Sequence, residues 1–261
     1  MPASDAQGLI DELARLAAGD GRAPTAHRYG PDPEHVADLL VPAGPGPYPV
    51  AVLLHGGFWR ARYDRTLMAA MALDLADRGW ASWNVEYRRV GNGGGVPETL
   101  DDVRASIVEL RQLPGLGVER LVLIGHSAGG HLALCAAGER DVGAVVSLAG
   151  VCDLDGAVRD HLGDGAADEL LAAGSAERPA ALALADPIAL LPAPVPVLLV
   201  HGDADTRVPV GQSRVYQGAA EAARAGGARC ELLELPGADH FELIDPRTRE
   251  WRLVAARLGS L

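Results

Sequence analysis

The stretch Glu119 to Leu134 reads ERLVLIGHSAGGHLAL, and the order of its parts decides the architecture. Leu121 to Ile124 is an unbroken apolar run, the pattern of a parallel strand covered on both faces. Gly125-His126-Ser127-Ala128-Gly129 follows, and an apolar helix is expected to begin near Ser127. A serine with glycines two positions to either side, between a buried strand and a helix, has the spacing of a strained elbow. The glycines remove side chains that would clash in the turn, and the serine hydroxyl is left exposed as a nucleophile. The N–H of Ala128 then lies at a helix N-terminus, where the positive end of the dipole favours an oxyanion. The competing reading is an N-cap serine between two packing glycines.

Around this stretch, β-type runs alternate with helical periods. YPVAVLL at Tyr48 to Leu54 precedes a helix carrying Leu67, Met71 and Leu75 on one face. WASWNVEY precedes a helix with Leu100, Val103, Ile107 and Leu110 at helical spacing. VGAVVSLAG, VPVLLVHG and RCELLELPG supply further strands, with helices expected over Val215 to Ala225 and around Trp251, Val254 and Leu258. This alternation predicts an α/β fold with a mostly parallel central sheet and helices on both faces. The rhythm breaks over residues 151–192, an Ala-, Gly- and Asp-rich segment read as a small cap or insertion. Residues 1–22 read as an acidic N-terminal helical segment. Neither a linker nor an internal repeat divides the chain, so residues 1–261 are expected to form a single domain.

Composition excludes several functions. The net charge is -12, and all 23 cationic side chains are arginine, because the sequence holds no lysine. The acidic balance argues against nucleic-acid and anionic-membrane partners. Without lysine there is neither a Schiff-base mechanism nor a phosphate-loop lysine, so RRVGNGGGVPETLDD is read as a connection near the site mouth. Cys135, Cys152 and Cys230 lack metal or redox spacing and read as reduced thiols. DLDGAVRDHLGDGAADE carries many carboxylates and His161 without the ligand spacing of a calcium loop. No metal and no organic cofactor is expected. The N-terminal segment lacks the basic start and apolar core of a signal peptide, and the longest apolar stretch is interrupted by Asp186 and four prolines. A cytoplasmic location follows as an expectation, with a homodimer left open.

A nucleophilic serine needs a base, and the base needs an orienting carboxylate. HGDADTRVP follows one strand and GADHFEL follows the next, both at the carboxyl edge where open α/β sheets build their sites. Asp205 and His240 are therefore the acid and base, with Asp203 and Asp239 as rival acids. His55, His131 and His201 read as structural. HGGFW at His55 to Trp59 follows the first long strand, and its two glycines let the N–H groups of Gly57 and Phe58 face a developing negative charge. The Phe58 and Trp59 rings, with His126, are expected to shape the substrate pocket.

Over roughly residues 30 to 261 the chain resembles the α/β-hydrolase superfamily. Within it, HGGFW, NVEYRRVG, GHSAGGH, HGDADTRVP and DHFEL resemble the branch holding arylformamidases (kynurenine formamidases) and small carboxylesterases related to hormone-sensitive lipase. The resemblance implies Ser127, Asp205 and His240 as the catalytic triad and Gly57, Phe58 and Ala128 as oxyanion donors. It implies a small-molecule acyl substrate, either an ester or an aryl formamide. A peptidase of the prolyl-oligopeptidase type, and a hydrolase-fold binding protein without catalysis, are the alternatives.

Overall fold

The computed structural model describes residues 3–114, 116, 118–223 and 228–261. The chain opens with helix α1 (Ala3–Gly19), and strands β1 (Thr25–Arg28) and β2 (Val36–Leu40) form a short antiparallel pair. Strand β3 (Tyr48–Leu54) begins the alternation: helix α2 (Ala69–Asp77), β4 (Ala81–Val85), α3 (Glu98–Leu110), β5 (Val118–His126), α4 (Ala128–Cys135) and β6 (Val142–Leu148). Three helices then occupy the expected insertion, α5 (Leu154–Arg159), α6 (Leu162–Ala173) and α7 (Arg178–Ala185). The alternation resumes with β7 (Val197–Gly202), α8 (Gly211–Ala222), β8 (Cys230–Leu235) and α9 (Arg249–Arg257). Residues 224 and 225, expected to end a helix, and residues 1–2 lie outside the described residues.

The strands form one sheet in the order β1-β2-β4-β3-β5-β6-β7-β8, parallel from β4 to β8. Period-2 alternation sends its side chains into two separate cores. Val50, Val52 and Leu54 of β3 face a layer with Leu100, Ile107, Leu132 and Tyr216, whereas Ala51 and Leu53 face Met71, Leu75, Trp251 and Leu13. From Val50 to Leu54, β3 carries no polar side chain because helices cover both faces. Each Leu or Val buried in this way contributes about 1.5–3 kcal/mol relative to exposure.

Helix α1 belongs to the second layer. Leu13 is buried there, and Glu12 forms an ion pair with Arg247. Among the described residues, no helix is long and apolar enough to cross a membrane. The carboxyl ends of β3, β5, β7 and β8 meet at one edge, and every candidate site residue named above lies at or just beyond that edge.

Candidate active site

Ser127 sits between β5 and α4 with φ 56° and ψ -117°, a conformation that non-glycine residues adopt only when surroundings enforce it. A Cβ on Gly125 would collide with the Gly129 carbonyl, and one on Gly129 would collide with the Leu54 carbonyl. The two glycines are therefore required by close backbone approach. The Ser127 N–H donates to Leu148 O at 2.8 Å, fixing the elbow to β6. Its side chain makes no capping bond to α4. That removes the N-cap reading and leaves the hydroxyl for chemistry.

Asp205, just past β7, is held on both oxygens. Oδ1 accepts from the N–H groups of Arg207 at 2.8 Å and Val208 at 2.9 Å, and Oδ2 accepts from His240 Nδ1 at 2.6 Å. His201 Nε2 lies 3.3 Å from the same Oδ2 while donating to Val208 O at 2.8 Å. Burial opposes ionisation, but the bonds from His201 and His240 outweigh it and hold Asp205 well below the usual carboxylate range. In the neutral ring, an Nδ1–H donated to Asp205 leaves the lone pair on Nε2, the tautomer a general base requires.

The rival acids do other work. Asp203 accepts from Gly237 N, and Asp239 accepts from Phe241 N, so both tie down turns. No hydrogen bond joins Ser127 Oγ to His240 among the described residues, yet both line one cavity of about 320 Å³, part of it open to solvent. Contacts of this kind tighten on substrate binding.

The loop after β3 passes directly against the elbow, for a Cβ on Gly56 would lie 3.0 Å from Ser127 Cβ. Gly57, Phe58 and Trp59 take φ values of 116°, 52° and 56° in succession, which turns the main chain sharply. Among the described residues, the N–H groups of Gly57, Phe58 and Ala128 donate to no protein acceptor. Underneath, the His55 carbonyl accepts from Tyr87 Oη at 2.6 Å, and His55 Nε2 lies 3.0 Å from Glu86 Oε1. Burial raises the Glu86 carboxyl, but bonding and charge from His55, with Arg89 alongside, hold it below its ordinary value.

The expected pocket residues divide. Phe58 lines the cavity. Trp59 does not: it is buried, its Nε1–H donates to His131 Nδ1 at 3.3 Å, and the two rings meet edge to face. The turn that aims Phe58 outward sends Trp59 into the core, so the expectation for Trp59 is corrected. His126 borders the cavity with a fully buried ring whose Nε2 donates to His240 O at 2.9 Å. Burial drives its pKa down to about 3, so the ring is neutral and positions the His240 backbone.

Five further wall residues, Ile10 of α1, Tyr63, Leu67, Arg207 and Phe241, escape a reading of the sequence alone. Arg207 and Phe241 stand inside quoted motifs, and no local pattern marks Ile10. Segment 151–192 contributes no lining residue among the described ones. It bears on the outer side of the loop instead: Gly163 packs on the Phe58 ring, and Glu169 pairs with Arg60 at 2.7 Å. A wider hollow beside Arg111, Arg120 and Asp141 lies at the start of β5, away from the elbow.

The BD-FAE family model matches residues 37–219, a span that takes in the loop, the elbow and Asp205. The chain belongs to the BD-FAE family. This BD-FAE member is 26% identical to the probable isoprenylcysteine alpha-carbonyl methylesterase ICME of Oryza sativa subsp. japonica, over 83% of this chain and 57% of that protein. It is 29% identical to esterase LipC of Mycobacterium tuberculosis, over 83% of this chain and 59% of that one. The chain thus spans less than two thirds of these curated relatives. A crystal structure of esterase B from Lactobacillus rhamnosis superposes with a TM-score of 0.77 at 20% identity, covering 98% of this chain and 92% of that one. The fold is the α/β-hydrolase fold.

Proposed function

We propose that this chain is a serine carboxylesterase acting on small acyl esters through an acyl-enzyme. The observation that carries the reading is the 2.6 Å bond from His240 Nδ1 to a doubly anchored Asp205, at a cavity shared with Ser127 on its strained elbow. His240 Nε2 takes the Ser127 proton as Oγ attacks the ester carbonyl. The oxyanion accepts from the N–H groups of Gly57, Phe58 and Ala128, each donor contributing on the order of 2.7–4 kcal/mol to transition-state stabilisation. His240 then protonates the leaving alcohol, and water releases the acyl group by the same route. The esterase names of LipC and the methylesterase agree with this chemistry.

The same machinery would open an aryl formamide, the second substrate class. The HGG-x-W form and the GGH run that point there meet as the Trp59–His131 pair, which is buried away from the cavity. Neither residue lines the cavity, which favours the ester as the first reading.

The test uses a fluorophosphonate probe together with p-nitrophenyl acetate and N-formyl-kynurenine. Labelling and acetate turnover in the unmutated chain, both abolished in Ser127→Ala, are expected. An unlabelled native chain would overturn the serine-hydrolase reading, and a clear preference for N-formyl-kynurenine would place the formamide first.

A further inference from the structure

The geometry points to Arg207 as the residue that selects substrates carrying a carboxylate close to the scissile bond. This rests on the esterase reading above. Among the described residues lining the cavity, Arg207 is the one that brings a permanent charge. The rest of the wall is largely apolar, with Phe58, Leu67, Phe241 and Ile10 prominent, and His126 is neutral.

Arg207 is fixed at both ends. Its N–H donates to Asp205 Oδ1 at 2.8 Å, so the catalytic acid sets where its main chain stands. Its guanidinium lies 5.1 Å from the centroid of the Phe241 ring, and Phe241 meets His240 edge to face, 5.1 Å between centroids at 88°. A guanidinium over an aromatic face is attracted through its charge, and no acceptor of the described residues takes a hydrogen bond from the N–H edge of Arg207. That edge is the part that matches a carboxylate bidentately.

Acids outnumber arginines in this chain, 35 to 23, and of the described arginines that form no ion pair, Arg28, Arg62 and Arg120 among them, Arg207 is the one that lines the cavity. Arg60 pairs with Glu169, Arg65 with Asp38 and Arg214 with Glu234. No carboxylate of the described residues lies within ion-pair distance of Arg207. Asp205, its neighbour in sequence, has its oxygens engaged by His240, His201 and two main-chain donors. A cation held over the ring beside the catalytic base, with its donor edge unclaimed, fits an anion that arrives with the substrate.

Two matched pairs of esters test this. Mono-p-nitrophenyl succinate against p-nitrophenyl butyrate places the carboxylate on the acyl side. 4-Acetoxybenzoate against its methyl ester places it on the alcohol side. In at least one pair the anionic-to-neutral ratio of kcat/KM should fall by on the order of tenfold to a hundredfold in Arg207→Gln, the loss of a charge-assisted bond. It should fall further in Arg207→Glu and recover in part in Arg207→Lys, with circular dichroism confirming that each variant is folded. Butyrate turnover with ratios that are flat across all variants in both pairs overturns the assignment and leaves the esterase reading intact. Failure of the native chain to cleave any of the four esters overturns both.

Discussion

The Tyr87 ring lies flat on the His55 imidazole, 4.3 Å between centroids and 10° from parallel, while its hydroxyl donates to the His55 carbonyl at 2.6 Å. One side chain thus holds His55 by both ring and main chain, immediately before the glycines that turn toward Ser127. Tyr87→Phe keeps the stacking and deletes the donor, leaving a buried carbonyl unpaired at a cost of about 1–3 kcal/mol. We expect a lower unfolding midpoint in urea and a fall in kcat with little change in KM, because the oxyanion donors lose their support. An unaltered kcat at reduced stability would make the contact purely structural.

His126 and His131 are buried and neutral, with pKa values lowered to about 3 and about 4. In the unfolded chain each titrates near the ordinary value of about 6.5. Between these limits the unfolded state binds more protons, so stability rises with pH and falls as pH drops from about 6.5 toward 4. Each histidine contributes a slope of up to about 1.4 kcal/mol per pH unit in that window. Urea unfolding from pH 4.5 to 7 should show the slope, and His131→Gln should reduce it by one proton. A flat profile would contradict neutral burial.

Gly163 has φ 62°, and a Cβ there would come within 2.5 Å of the Phe58 ring. Gly163→Ala should push Phe58 toward the cavity, lowering kcat/KM several-fold and stability by about 1–3 kcal/mol. Parallel rate and melting measurements separate the two effects. Normal rates would show that the loop ignores its outer neighbour.

Trp59→Phe removes the Nε1–H donor to His131 while preserving an aromatic ring in the core. The expected result is a loss of roughly 1–2 kcal/mol in stability with the ranking of acyl chain lengths preserved. A changed ranking would return Trp59 to the substrate pocket.

The parts of the site that local spacing dictates are legible in the amino-acid order itself. Glycines two residues from Ser127 specify an elbow because the backbone crowds there, and Asp205 and His240 follow strands whose apolar runs place them at one edge. Side-chain direction is less legible. Phe58 and Trp59 are adjacent in an aromatic pair, yet successive positive φ values send one to the cavity and the other to the core. His201 reads as a bystander until folding brings its ring to the Asp205 carboxylate. Ile10 reaches the cavity only because α1 packs on the second layer, a long-range event that its own helical pattern does not encode. Strands β1 and β2 are short and partly exposed, so their alternation is too weak to mark them.

Arg60 grips Glu169 and Phe58 rests on Gly163, so the inserted segment touches the loop after β3 from behind and, among the described residues, lines none of the cavity. Amino-acid changes accumulating in that segment would therefore act like a tension screw, altering how fast the loop delivers its N–H donors. The repertoire of accepted molecules would be inherited separately, through the cavity wall. Turnover and taste can diverge independently in such a chain, each with its own stretch of sequence to vary.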